Sequence, residues 1–299
     1  MDGSVLVTGA QGFVGGHLLR ELGNSALATH ADVTDPDALA RTLGDVQPVA
    51  VVHLAALSWV PESWRDPARV WAVNAVGTVN LLEAVRAECA QARVLVVSTG
   101  EVYGRAEVLP TPENSPVSPV SPYAASKAAA EVAALQVRET GLDVVVARPF
   151  QHEGPGRDEQ FAVGSWTHQI ARLEAAGGGE LLVGNLDAER DLTDVRDVCR
   201  AYRLLLDPAV QGGVYNVASG RTVTMRRVVE LLVELATVPV DVKPDPERLR
   251  PLDLPVLCGD ATRLRAATGW RPEIELEQTL RDTLEVARRT VRAERTPTT

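Results

Sequence analysis

The chain has 299 residues, 45% of them hydrophobic, and a formal net charge of −10. That length supports a large core in one or two domains, and an acidic chain without a basic cluster argues against a nucleic-acid partner. No apolar run reaches the ~18 residues of a membrane span, and no charged-then-apolar leader precedes the first strand, so the expectation is a cytoplasmic enzyme with no membrane partner.

Strand-like runs at 4–8, 48–55, 94–98 and 143–147 alternate with helical stretches at 12–22, 37–43, 74–90 and 122–140. "VAVVHLAA" and "RVLVVST" are apolar on both faces, as strands in a buried parallel sheet must be. The alternation predicts an α/β fold, a Rossmann-like doubly wound parallel sheet with a smaller C-terminal substrate-binding region. The sheet domain is expected over 1–150 and about 187–218. The smaller substrate-binding region is expected over about 151–186 and 219–290, followed by a polar tail at 291–299. The Pro-rich "VKPDPERLRPLDLPVLCGD" cannot be a long helix and reads as a loop laid over something. Cys89, Cys199 and Cys258 lie far apart with no metal-ligand spacing; they read as core thiols, and no metal is expected.

Residues 8–16 read "TGAQGFVGG", between an apolar strand and an apolar helix. At Gly9 a Cβ would block the tight turn, at Gly12 it would keep the backbone from a pyrophosphate, and at Gly15 it would push the helix off the sheet. Free N–H groups at the helix N-terminus then attract phosphates. The context of strand, glycines and helix predicts a dinucleotide cofactor. Asp32 is the nearest acid to the position expected to meet the ribose, and Asp32-Val33 could hold the adenine instead. No arginine stands beside it to grip a 2′-phosphate, so NAD and NADP stay open.

"VSPYAASKAAAE" carries the acid–base signal. Ser121 fits an N-cap and Pro122 a first helical residue, which puts Tyr123 and Lys127 on one helix face. A phenol with a pKa near ~10 is a poor acid–base group at neutral pH. A neighbouring ammonium and the helix N-terminus favour the phenolate, so Tyr123 could protonate an alkoxide formed when hydride reaches a carbonyl. Thr99, at the carboxyl end of its strand, could hold the carbonyl oxygen, and Glu101 could reach the same pocket as a second acid–base group.

Together "TGAQGFVGGHLL", "VVHLAALSWVPESW", "NAVGTVNLLEAV", "STGEVYG", "YAASKAAAE" and "ARPFQHEGPG" resemble the extended short-chain dehydrogenase/reductase family, over nearly the whole chain. The resemblance implies a catalytic set of Thr99, Tyr123 and Lys127. It implies cofactor contacts at Gly9, Gly12, Phe13, Val14, Gly15, Asp32, Val33, Leu54, Ala55, Ala56 and Asn74, with Tyr123 and Lys127 at the nicotinamide. "GNLDAERDLTDVRD" and "RPLDLPVLCGDATRLRAATGW" are similar to the GDP-sugar branch, which contains GDP-mannose 4,6-dehydratases and 4-keto-6-deoxy-sugar reductases. "RDLTDVRD" is closer to the reductases, which implies reduction of a GDP-4-keto-6-deoxy-hexose at carbon 4, to a product such as GDP-D-rhamnose. The dehydratase, with Glu101 taking a proton beside the ketone, is the alternative, and a 4-epimerase comes third. The motifs nominate Arg190, Arg250 and Asp253 for the nucleotide and Ser58, Glu101 and Gln151 for the sugar. Gln151 stands where the family usually has Asn. Arg196 reads as an ion-pair partner of Asp194 or Asp197. The family also implies a homodimer through the two long helices.

Overall fold

The computed structural model describes residues 3–249 and 252–295. Among them, six parallel strands form the central sheet: β1 (Val5–Thr8), β2 (Ala26–Ala28), β3 (Ala50–His53), β4 (Arg93–Val97), β5 (Val144–Pro149) and β6 (Gly213–Val217), in spatial order β6-β5-β4-β3-β1-β2. The period-2 geometry of a strand sorts the apolar residues into two cores. Val5, Val7, Ala50, Val52, Leu95, Val145 and Ala147 face one side, with Leu18 and Val198. Leu6, Val51, Val94, Val96, Val144 and Val146 face the other, with Leu39, Leu81, Val85 and Ala134. Helices α1 (Phe13–Leu22) and, later in the chain, Val195–Leu205 supply the first layer. Helices α2 (Pro36–Val46), α3 (Gly77–Glu88) and α4 (Pro122–Glu139) supply the second.

A further apolar core joins α5 (Ala162–Ala176), α7 (Met225–Glu234) and α8 (Leu276–Arg295), where α6 is Val195–Leu205. Strand Gly179–Val183 pairs in parallel with Val240–Pro244 on its edge. The Pro-rich stretch resolves into that strand, a turn at Pro246–Arg248 and the short strand Val256–Leu257. Its end does not pack with the smaller region: Leu254, Leu257, Ala261, Leu264 and Trp270 enter the sheet core. The expectation that 219–290 packs as one region therefore misses a return crossing of the chain.

Element ends differ from the sequence expectation for local reasons. The helix expected from residue 74 starts at Pro67, with Asp66 capping it through the Arg69 N–H at 3.0 Å. It passes through a widened turn at Ala72–Val76 before α3. Such π-type bulges change which way a side chain is aimed, and the buried Asn74 sits in this one. Ser121 caps α4 as expected, accepting the Ala124 N–H at 3.1 Å, with Pro122 in the first turn.

Candidate active site

The carboxyl ends of β1, β3, β4 and β5 open into a cavity of about 570 Å³. That lies within the roughly 300–1,000 Å³ of ordinary ligand clefts. Lining it from the expected set are Gly9, Gly12, Phe13, Val14 and Gly15 after β1, Leu54, Ala55, Ala56 and Ser58 after β3, Thr99 and Glu101 after β4, Tyr123 and Lys127 on α4, and Gln151 after β5.

The glycine turn is built to a tight tolerance. Gly9 has φ +66°, and a Cβ there would stand 2.7 Å from the Ala55 nitrogen. A Cβ on Gly15 would stand 2.5 Å from the Ala10 carbonyl oxygen. The constraint at Gly15 is thus the loop folding back on the helix, not helix-to-sheet packing as expected. Gly12 is exposed and a Cβ there would meet only the Gly9 carbonyl, at 3.3 Å, which leaves the face toward the cavity free for backbone to approach a ligand. At the cavity floor, Tyr202 on α6 is wholly buried and its hydroxyl has no hydrogen-bond partner. A buried hydroxyl left unpaired costs about 1–3 kcal/mol. The glycine cradle and this orphaned donor both fit a phosphate-bearing, hydrogen-bonding ligand such as a dinucleotide.

Tyr123 is 8% exposed and Lys127 3%. Burial, and then the Glu101 carboxylate, push the Tyr123 phenol above its ordinary value; the Thr99 side chain and the Arg157 charge pull it back. The lowering expected from Lys127 is not what dominates in the protein by itself, because desolvating a phenolate costs more than the nearby positive charges return. Lys127 is itself brought down to about 8 by burial, against the opposing pull of Glu131 one turn further along α4. A cationic ring bound beside the pair would act in the same sense as Thr99 and Arg157.

Behind these side chains lies a hydrogen-bonded scaffold. Glu131 pairs with Arg148 at 2.6 Å, both buried, and also accepts from the Ser98 hydroxyl. Arg148 donates on to the Tyr103 hydroxyl at 2.8 Å, which donates to Asn216 at 2.8 Å. The network ties α4 to β4, β5 and β6, which fixes Lys127 and Tyr123 against the strand ends. On the other side, Asn74 does not line the cavity. Its carbonyl accepts the Leu57 N–H at 2.8 Å, and its amide donates to the Leu57 carbonyl and to Ser126, each at 3.0 Å. Ser126 donates in turn to the Tyr123 carbonyl at 2.7 Å. Asn74 is therefore a clamp between the 54–58 loop and the tyrosine's helix, with its amide spent on protein.

Four other expected residues lie away from the cavity. Asp32 is exposed, and its carboxylate accepts from the Thr34 N–H at 2.9 Å and the Thr34 hydroxyl at 2.8 Å, which also lowers its pKa. Val33 is buried beneath Gly77, where a Cβ would come within 2.6 Å of it. Arg190 is buried and donates to Asp253 at 2.6 Å and to the Leu254 carbonyl at 2.8 Å. Two of the three groups nominated for the nucleotide thus neutralise each other, and Arg190 sits outside the lining, with its strand pinned beside Val256–Leu257. Arg250 falls outside the described residues. Arg196 pairs with Asp194 and Asp282, each at 2.8 Å. The sequence reading missed Arg157, which lines the cavity and lies over the rings of Phe13 and Phe161. The available signal was an arginine four residues before a phenylalanine in a Gly-Pro-Gly loop.

Among the described residues no helix is long and apolar enough to cross a membrane, and no cluster of acidic, histidine or cysteine side chains could hold a metal.

The family model for GDP-mannose 4,6-dehydratase matches residues 22–283. The chain is 41% identical to a GDP-6-deoxy-D-mannose reductase of Pseudomonas aeruginosa, over 94% of this chain and 96% of that protein. It is 32% identical to a GDP-mannose 4,6-dehydratase of Sinorhizobium fredii, over 82% of this chain and 76% of that protein. A solved structure of the protein named RMD from Pseudomonas aeruginosa, complexed with NADPH, superposes with a TM-score of 0.88 at 40% identity, covering 96% of this chain and 99% of the other. A UDP-glucose 4-epimerase from Thermotoga maritima, solved with UDP-glucose, superposes with a TM-score of 0.87 at 29% identity, covering 96% and 99%. With the parallel sheet, the glycine cradle and the Tyr123–Lys127 pair at its lip, these matches place the chain among the extended short-chain dehydrogenase/reductases, and it belongs to the GDP-mannose 4,6-dehydratase family.

Proposed function

We propose that this chain reduces the 4-keto group of GDP-4-keto-6-deoxy-D-mannose, using NADPH or NADH, to a GDP-6-deoxy-hexose such as GDP-D-rhamnose. One observation carries the reading. Thr99, Tyr123 and Lys127 meet at the edge of a glycine cradle, in a chain 41% identical over nearly its full length to a GDP-6-deoxy-D-mannose reductase. A nicotinamide bound in this cavity would supply hydride to the sugar carbon. Thr99 would orient the carbonyl oxygen, and Tyr123 would donate its phenolic proton to that oxygen as it becomes an alkoxide. Lys127 supports the phenolate left behind, and the Glu131–Arg148 network keeps both on the correct face of α4. Ser58 and Gln151 line the same cavity and are assigned to the sugar.

Glu101 favours a second reading. Its carboxylate lines the same cavity, and its charge raises the Tyr123 pKa, so it lies near the phenol, where a dehydratase base would take the proton beside the ketone. Relatives named GDP-mannose 4,6-dehydratases share 30–32% identity. The separating experiment supplies GDP-mannose and its 4-keto-6-deoxy derivative in turn, with NADPH or NADH. Cofactor consumption with the keto sugar alone supports the reductase. Loss of water from GDP-mannose without net cofactor consumption replaces it with the dehydratase.

The assignment extends to a cytoplasmic homodimer. Val76, just before α3, Val79 on α3 and Val132 on α4 are 55%, 42% and 69% exposed on the two helices that such a dimer would pair. Sedimentation of the protein and of Val132→Glu tests this: a dimer that the charge converts to monomer supports the assignment, and a wild-type monomer removes it.

A further inference from the structure

We propose that His53 is a positioning residue for the reduction: an imidazole fixed as its neutral Nε2–H tautomer, whose two nitrogens join the glycine turn to the helix that carries Tyr123. The inference rests on the functional reading above, in which a nicotinamide dinucleotide fills the cavity and Tyr123 gives the proton.

His53 ends β3, and Thr8, its partner across the parallel ladder, ends β1. Both are buried, and the His53 ring is wholly so, outside the cavity lining. Its Nδ1 lies 2.9 Å from the Thr8 hydroxyl, and its Nε2 lies 2.9 Å from the Thr78 hydroxyl on α3. The neighbours settle where the protons are. Thr78 gives its one hydroxyl proton to the Asn74 backbone carbonyl at 2.6 Å. Toward His53 it therefore accepts, and Nε2 carries the hydrogen. In a neutral ring Nδ1 is then the acceptor, and Thr8 donates to it. The Thr8 oxygen keeps a lone pair for the Ala55 N–H, which it accepts at 3.3 Å. A second proton on the ring is disfavoured: burial, and then the Lys127 charge, bring the His53 pKa down to about 3.

Each end of this line reaches a working part. At the Thr8 end, Gly9 and Ala55 line the cavity and meet so closely that a Cβ on Gly9 would stand 2.7 Å from the Ala55 nitrogen. At the Thr78 end, the Asn74 side chain holds Leu57 and Ser126, and Ser126 holds the Tyr123 carbonyl. An apolar side chain would fill the same place at the end of a buried strand. An imidazole with its two nitrogens spent in opposite senses adds a fixed spacing between the part that would hold the hydride donor and the part that holds the proton donor. Rotating the ring or moving its proton breaks both bonds at once. Spacing of this kind matters because a displacement of about 1 Å at reacting groups can cost about 10²-fold in rate.

His53→Asn and His53→Gln cut the line at one end each. The asparagine oxygen takes the place of Nδ1, so Thr8 keeps an acceptor and Thr78 loses its donor. The glutamine nitrogen takes the place of Nε2, so Thr78 keeps its donor and Thr8 loses its acceptor. Thermal melting identifies the folded variants; NADPH affinity is read by fluorescence titration, and kcat at saturating NADPH and keto sugar. His53→Gln should weaken NADPH binding about tenfold, with kcat within about threefold of wild type. His53→Asn should lower kcat about 10- to 100-fold, with NADPH affinity within about threefold. Any other pattern in the folded variants, above all an equal loss of both quantities, overturns the proposal. Where a variant does not fold, nitrogen-15 NMR of the wild-type imidazole takes its place. An Nε2–H ring that stays neutral from about pH 5 to 9 and shifts on adding NADPH supports the proposal, and an Nδ1–H or charged ring overturns it. A wild type that binds no NADPH overturns the functional reading instead; the tautomer, which needs no ligand, separates the two failures.

Discussion

Behind Tyr123 and Lys127 the polar groups are tied to one another. Glu131–Arg148, Asn74–Ser126 and Ser126–Tyr123 are joined at between 2.6 and 3.0 Å. Where Arg157 lines the same cavity, it is half-buried over the buried Glu153, and each has a buried atom without a hydrogen bond. The first end is finished by the protein alone, and its groups cannot turn toward a ligand without breaking something. The second is held in place by rings and charge, which fix position while leaving donors unspent. The difference teaches where chemistry and where recognition belong: a proton donor needs a fixed scaffold, whereas a binding group needs capacity in reserve.

The strongest test of the finished end is Tyr123→Phe. The ring keeps its packing and only the proton donor is lost, so turnover should fall by about 10²- to 10⁴-fold. NADPH affinity should stay within about threefold, read by fluorescence titration. Turnover near wild type would mean that the phenol is not the donor, and the scaffold behind it would need another explanation.

Glu131→Gln tests the scaffold without touching the cavity lining. It leaves the Arg148 guanidinium buried without its carboxylate, which should cost about 3–5 kcal/mol of stability, measured by denaturant unfolding. A cost below about 1 kcal/mol would show that the two ends of the cavity are not built differently after all.

A pH profile comes next in size. Burial brings the Lys127 pKa down to about 8, below the ordinary lysine value of about 10.4, so its charge is lost as pH rises through that region. In the direction of reduction that charge supports the forming phenolate, and kcat should fall above pH 8, approaching tenfold per unit. Lys127→Met should lower kcat and remove this alkaline limb. For stability the sign is opposite. Between about 8 and 10 the unfolded chain binds more protons than the folded one, so stability contributed by this site rises with pH.

What the sequence made legible follows the same division. Tyr123, Lys127 and their Ser121–Pro122 cap lie within seven residues, and the glycine turn within seven more, so spacing alone fixed their mutual placement. The runs apolar on both faces are legible as strands of a buried parallel sheet for the same local reason. Arg157 was illegible because its meaning comes from Phe13, 144 positions earlier in the chain. Asn74 was misjudged because a widened helical turn aims it at Leu57 and Ser126 rather than at the cavity. Arg190 and Asp253 each match the chemistry of a nucleotide site, but the fold brings them to each other from 63 positions apart.

The smallest expected effect belongs to Glu153→Gln, and its smallness is the point. Burial raises the Glu153 pKa, against the pull of Arg157. The folded protein then holds this proton to a higher pH than the unfolded chain does, so the site's contribution to stability falls as pH rises from the ordinary carboxylate range through the raised value. Glutamine mimics the protonated acid at every pH, removing the carboxylate's charge from the 3.2 Å pair with Arg157 while keeping an oxygen on the side chain. The variant should cost less stability at neutral pH than Glu131→Gln does, because burial already disfavours the ionised form of Glu153 and Arg157 lines the cavity, and its stability should lose that pH slope. A penalty as large as that of Glu131→Gln would show that the Arg157 end is structural ballast like the other, with nothing held in reserve for a ligand.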